Sequence, residues 1–168
     1  MSHYSIILFS TPIFIFLIIT EFIYGLKRNK NNYRINDTCM SISLGVLSRF
    51  PQILNLGIAS IVYSFIVNNF QLNVDWTPNP LTWVIAFITY DFLYYWLHRA
   101  CHRINILWAA HCVHHHGEEY NLATALRQTS TGFMLKWIFF IPSFIIGIPA
   151  DMFFIVGALN LVYQFWVH

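Results

Sequence analysis

Imidazole side chains crowd one short stretch of this chain. Six of its eight histidines fall between His98 and His116, far more than an even spread would place there. His98 and His102 stand four residues apart. On a helix that spacing stacks both rings on one face, with Cβ atoms about 5–6 Å apart. His111, His114 and His115 follow an i, i+3, i+4 pattern, which shares a face in the same way. Five imidazoles from two neighbouring elements are therefore expected to converge. Neutral imidazole is a borderline ligand suited to zinc, copper, iron and nickel, so the expected chemistry is metal ligation, with the metal left open by spacing alone. The bland alternative, polar side chains at a membrane edge, suits the lone His3 better than two clusters at helical spacings. His116 leaves the shared face and is read as either solvent-facing or part of the site.

Other residues near the clusters carry weaker signals. Asp91 and Tyr95 lie seven and three residues before His98 and so fall on its face. A carboxylate near a membrane is costly unless paired. Asp91 is therefore a candidate to accept the N–H of a ligating ring, which would fix its tautomer and orientation; the alternative is an interfacial Asp capped by water. Glu118 and Glu119 either ligate or solvate the loop. Asn121 and Arg127 are read as lining the site or ordering the loop around it. Tyr94, Tyr95, Trp96 and Trp108 make an interfacial aromatic belt.

The elements that must position these residues are membrane helices by composition. Hydrophobic residues make up 57% of the 168 and charged residues 10%. Soluble domains carry about 25% charged residues, so this chain has too few to cover a core of its size with water-facing side chains. The expected fold is an all-α, multi-pass membrane helical bundle, one domain over 1–168, capped by a cytoplasmic histidine-rich region at 98–131. Transmembrane segments are expected at about 6–26, 50–67, 81–97, 132–148 and 152–167. The last two form a hairpin broken by Gly147, Pro149 and Asp151. The N-terminus lacks a basic flank before its apolar run and a small-x-small cleavage site, and is read as a retained first helix. Lys27, Arg28, Lys30 and Arg34 follow that helix and place its end in the cytoplasm. Counting crossings from there puts 98–131 and His168 on the same face. The net charge of +2 and the lack of a basic stripe argue against a nucleic-acid partner. Three cysteines without a CxxC pair argue against a disulfide framework.

The stretch DFLYYWLHRACHRINILWAAHCVHHHGEEYNLATALRQ resembles the fatty acid hydroxylase / sterol desaturase superfamily of membrane di-iron enzymes. Its HR-x-x-H, LW-x-x-H-x-V-HH and YN-x-x-TA-x-R elements are most similar to the alkylglycerol monooxygenase-like and bacterial sterol-desaturase-like branch. The closing YQFWVH is similar to the segment where that family brings in a further histidine. The resemblance covers about 81–168. It implies two Fe ions held by eight or more histidines, with His98, His102, His111, His114, His115 and His168 as the matching ligands here. It also implies hydroxylation or desaturation of a lipid C–H bond (sterol, ether lipid or fatty acyl) by O₂, in a bacterial inner membrane or the endoplasmic reticulum. Two departures stand out. The family has a small polar residue where His116 stands. Its final HxxHH box is expected beyond His168, so the sequence is expected to be a piece whose site is incomplete and which is inactive alone.

Zinc has no redox chemistry, so O₂ activation requires a metal such as iron. No nucleotide-binding fingerprint occurs, so electrons must come from an external donor: a cytochrome, a ferredoxin or a reduced pterin. Two other classes remain open on residues alone. One is a zinc-dependent membrane hydrolase in which Glu118 or Glu119 activates metal-bound water, though no HExxH arrangement is present. The other is a non-enzymatic metal carrier or haem-binding membrane protein.

Overall fold

The helix that carries the first histidine pair begins at a sharp signal. The Asn79 side chain accepts hydrogen bonds from the backbone N–H groups of Leu81 and Thr82 at 2.9 and 3.0 Å, and the Thr82 hydroxyl accepts in turn from the Asn79 N–H at 3.0 Å. With Pro80 at the first helical position, this reciprocal cap satisfies the orphan donors of the first turn. In the computed structural model, residues 3–30, 32–50, 58–72, 74–129 and 131–167 are described, and all their regular structure is helical. The helices are α1 (His3–Lys27), α2 (Ile35–Leu47), α3 (Ile58–Phe70), α4 (Pro80–Cys101), α5 (Asn105–His111), α6 (Ile141–Ile145) and α7 (Ala150–Val167).

α1 presents large apolar side chains outward along its length. Leu8, Phe9, Ile13 and Phe16 are all more than half exposed. A soluble protein rarely leaves so continuous an apolar surface uncovered. Ile6–Lys27 is the one helical stretch among the described residues that is long and apolar enough to cross a membrane. At 1.5 Å per residue its 22 residues reach about 33 Å, enough for a hydrocarbon core of about 30 Å.

α7 packs against both α1 and α4. Phe14 stacks on Phe165 between α1 and α7. Ala86 of α4 meets Met152 and Val156 of α7 in one buried cluster. A second buried cluster joins Ile66, Leu93, Leu97, Cys101, Leu107, Phe140 and Phe144. Leu97 and Cys101 of α4 and Leu107 of α5 share this cluster, so the two helices that carry the histidines are joined by buried apolar side chains.

Two features depart from the expected segments, and a third segment lies partly outside the described residues. α2 occupies a stretch between the first two of them, where no helix is expected. Its polar residues, including Asp37 in the first turn, hide it from a search for long apolar runs. The second expected segment, about 50–67, is seen only in part, since 51–57 lie outside the described residues; helix α3 is described over Ile58–Phe70. The stretch 132–148 is not one helical arm but two 3₁₀ turns, Gly132–Met134 and Lys136–Phe140, followed by α6. Pro142 lacks an N–H to donate to the preceding turn and sits in the first turn of α6, where that donor is not needed, which favours a new helix start there. Gly147, at φ +80°, then turns the chain into α7.

Candidate metal centre

α4 delivers His98 in its last turn and His102 as its C-cap residue, whose N–H reaches the His98 carbonyl at 3.3 Å. α5 ends at His111. The chain beyond it continues as tighter turns: the His114 N–H reaches the His111 carbonyl at 2.9 Å and the His115 N–H the Cys112 carbonyl at 3.0 Å. The second cluster is thus only partly helical, yet the i+3 turn keeps its rings on one side.

The rings meet. His98 Nε2 lies 3.2 Å from His102 Nε2, and His111 Nε2 lies 3.0 Å from His115 Nε2. Ring centroids between the two pairs are 4.8 Å apart for His98–His111 and 4.7 Å for His102–His115. One nitrogen from each of the four rings falls within 4.8 Å of the others. Nitrogens that share one ion at about 2.1 Å stand roughly 3.0–3.4 Å from each other, so both close pairs have the separation that shared ligation requires. His114 sits at the edge of this group, 5.3 and 5.0 Å by centroid from His111 and His115. It donates its Nδ1–H to the Arg127 carbonyl at 2.5 Å, because a carbonyl can only accept. In neutral imidazole that puts the lone pair on Nε2, the ligating tautomer with a backbone partner behind it.

Burial pushes the His111 imidazole down to about 3, helped by the other four rings of the cluster. It is therefore neutral at physiological pH, the form a metal needs. Trp108 walls one side, stacked on His115 at 5.8 Å and tilted to His102 at 5.4 Å. Its spacing in the chain assigns it only to an aromatic belt, so this wall emerges from the folded arrangement. Tyr94 lies 6.0 Å by ring centroid from His98.

Two residues expected beside the rings have other occupations. Asp91 accepts from the Asn160 side chain at 2.7 Å. The heptad-like offset aligns it with His98, but two helical turns separate them by about 10 Å along the axis. The Tyr95 hydroxyl accepts from Arg99 at 2.8 Å. Asn121 and Arg127 are tied to the N-terminal part of the chain: Asn121 donates to the Asn32 carbonyl at 2.6 Å, and the Arg127 guanidinium pairs with Asp37 at 3.1 Å. Glu118 and Glu119 pair with Arg34 at 2.5 and 2.9 Å. His116 is exposed and is not one of the four converging rings. His168 lies outside the described residues.

The N-terminal part is tied to the loop after the histidines without carrying a motif. Glu21, the lone acidic residue of α1, accepts from the Leu122 N–H at 2.8 Å and from the Tyr33 hydroxyl at 2.5 Å. A single carboxylate in a long apolar helix is the signal that could have found it, because such a group persists only when paired.

A family model for fatty acid hydroxylase matches residues 83–168. The chain belongs to the fatty acid hydroxylase family. Within that family it is similar to alkylglycerol monooxygenases: 44% identical to the one from Danio rerio and 42% to the one from Homo sapiens, each over 95% of this chain and 36% of the relative. The Caenorhabditis elegans alkylglycerol monooxygenase is 31% identical over 92% of this chain and 30% of its own length. The chain therefore spans about a third of the length of the curated relatives it matches. No solved structure matches it. The family match begins within α4 and contains every histidine of the cluster.

Proposed function

We propose that this chain supplies much of the metal centre of a membrane-bound, lipid-oxidising monooxygenase. The observation that carries the reading is the meeting of four imidazoles from α4, α5 and the turn after α5, in a chain of the fatty acid hydroxylase family. His98, His102, His111, His114, His115 and His168 are the proposed ligands of two irons. Bound iron supplies the redox chemistry that directs O₂ onto a lipid C–H bond.

The chain's own residues have definable tasks in that reaction. His111 arrives neutral and needs no proton removed before it ligates. The Arg127 carbonyl holds His114 in one tautomer. Trp108 packs against the His102 and His115 rings and restricts their orientation. The overall reaction inserts one oxygen atom into the C–H bond and releases the other as water. It consumes two electrons and two protons, supplied by an external donor: a reduced pterin, a cytochrome or a ferredoxin. The similarity to alkylglycerol monooxygenases favours an ether lipid as substrate over a sterol or free fatty acyl chain.

The proposed membrane arrangement has five apolar segments, at about 6–26, 50–67, 81–97, 132–148 and 152–167. The basic residues after α1 place 98–131 on the cytoplasmic side, in a bacterial inner membrane or the endoplasmic reticulum. A lipid tail then reaches the cluster sideways from the bilayer.

Metal analysis of the purified full-length protein, paired with lipid profiling of cells with and without it, tests the reading. About two irons per chain and an oxygenated lipid that depends on the protein are expected. Zinc alone, a haem absorption band or an unchanged lipid profile would each overturn it.

A further inference from the structure

Four ties bind the N-terminal part of the chain to the loop that follows the histidines. Glu21 takes the Leu122 N–H, the Asn32 carbonyl takes Asn121, Arg34 reaches Glu118 and Glu119, and Asp37 pairs with Arg127. They differ sharply in environment. The Arg34 and Glu118 side chains are 64% and 66% exposed, where an ion pair contributes little. The Arg127 and Asp37 side chains are 6% and 10% exposed. A charge taken that far out of water persists only with a partner. Arg127 Nε and Thr38 Oγ1 are buried without a hydrogen-bond partner, so the guanidinium depends on Asp37.

Backbone packing points to the same junction. A Cβ on Gly45 of α2 would come within 2.6 Å of the Leu126 carbonyl oxygen, so α2 lies directly on the 124–126 turn. Arg127, at the end of that turn, faces two ways. Its side chain is held by Asp37, 90 residues away in sequence, and its carbonyl accepts the Nδ1–H of His114 at 2.5 Å.

We propose that Asp37 is a positioning residue for the metal centre, acting on His114 through Arg127, and that α2 is the brace that holds this relay in register. The proposal rests on the reading of His114 as a ligand. Losing Asp37 frees the guanidinium to seek water, moves the Arg127 backbone and releases the His114 ring from a single tautomer.

The test is cobalt(II) binding to the metal-stripped full-length protein in nanodiscs, measured by competition with a chelator. Asp37→Asn should weaken binding about tenfold, the lower end of the cost of losing a partner around a ligating histidine because Asp37 acts through Arg127, and Asp37→Glu should restore most of it. His114→Ala should weaken binding by itself, and Asp37→Asn should add nothing further in that background, since both changes remove the same interaction. Gly45→Ala displaces α2 without deleting a charge and should also be silent in the His114→Ala background; it serves if Asp37→Asn does not fold. Wild-type affinity in both Asp37→Asn and Gly45→Ala, or effects that add to that of His114→Ala, would overturn the brace. Unchanged binding in His114→Ala itself would instead remove the ligand reading on which the brace rests.

Discussion

His114 donates its Nδ1–H to the backbone carbonyl of Arg127, 13 residues further along the chain, at 2.5 Å. The contact fixes which nitrogen of His114 carries the proton, and so which one can face a metal. It also marks a division within the cluster. His98, His102, His111 and His115 meet ring to ring, whereas His114 is oriented from behind by the loop.

Removing a ring from the converging group should remove metal. His98→Ala and His102→Ala are each expected to lose most of the iron bound by the full-length protein, while His116→Ala, at an exposed ring outside the group, keeps it. Iron analysis by mass spectrometry on protein purified in parallel reads this directly. Full iron in both of the first two variants would end the ligand assignment.

Alkaline stability should depend on Tyr33. Its phenol is held well above the usual range near 10, first by burial and then by the Glu21 carboxylate that accepts its hydrogen bond. A group whose folded pKa is raised contributes stability that is complete below its unfolded pKa and is lost as pH rises above it. Wild-type protein should therefore lose thermal stability above about pH 10, and Tyr33→Phe should lose less over the same range. Melting curves from about pH 8 to about pH 11 check this; parallel losses in both proteins would refute it.

Asn160 is buried to 1% exposure on α7 and donates to Asp91 of α4 at 2.7 Å. Gln164 donates in turn to the Asn160 side-chain oxygen. Hydrogen bonds to charged groups contribute about 1.5–3 kcal/mol, so Asn160→Leu should lower stability by about that amount. Asp91→Leu combined with Asn160→Leu should recover part of the loss, because no carboxylate is left unpaired in the expected membrane segment. Unfolding in mixed detergent micelles measures both.

Gly147 carries φ +80° at the turn between α6 and α7, and a Cβ there would meet Gln71 Nε2 at 2.7 Å and the Leu72 carbonyl oxygen at 3.2 Å. Gly147→Ala is expected to destabilise by more than about 1 kcal/mol, since it combines a left-handed backbone with a close contact. Gly25→Ala, inside α1 with negative φ, should not. The same unfolding assay distinguishes them.

Local facts are legible in the linear order of residues. Four-residue spacing puts His98 and His102 on one helix face, and the apolar composition requires helices whose outer surfaces are not covered by water-facing groups. The family follows from ordered histidine motifs with their flanks. What depends on distant segments appears only in the folded chain. Asp91 shares a helical face with His98, yet it is Asn160, 69 residues away, that takes its carboxylate. Asp37 and Glu21 carry no motif; they matter because folding brings α1 and α2 against the loop that follows the histidines. Periodicity reports which residues of one element point the same way. It carries no information about which element arrives opposite them, and that arrival sets the partner, the burial and the tautomer.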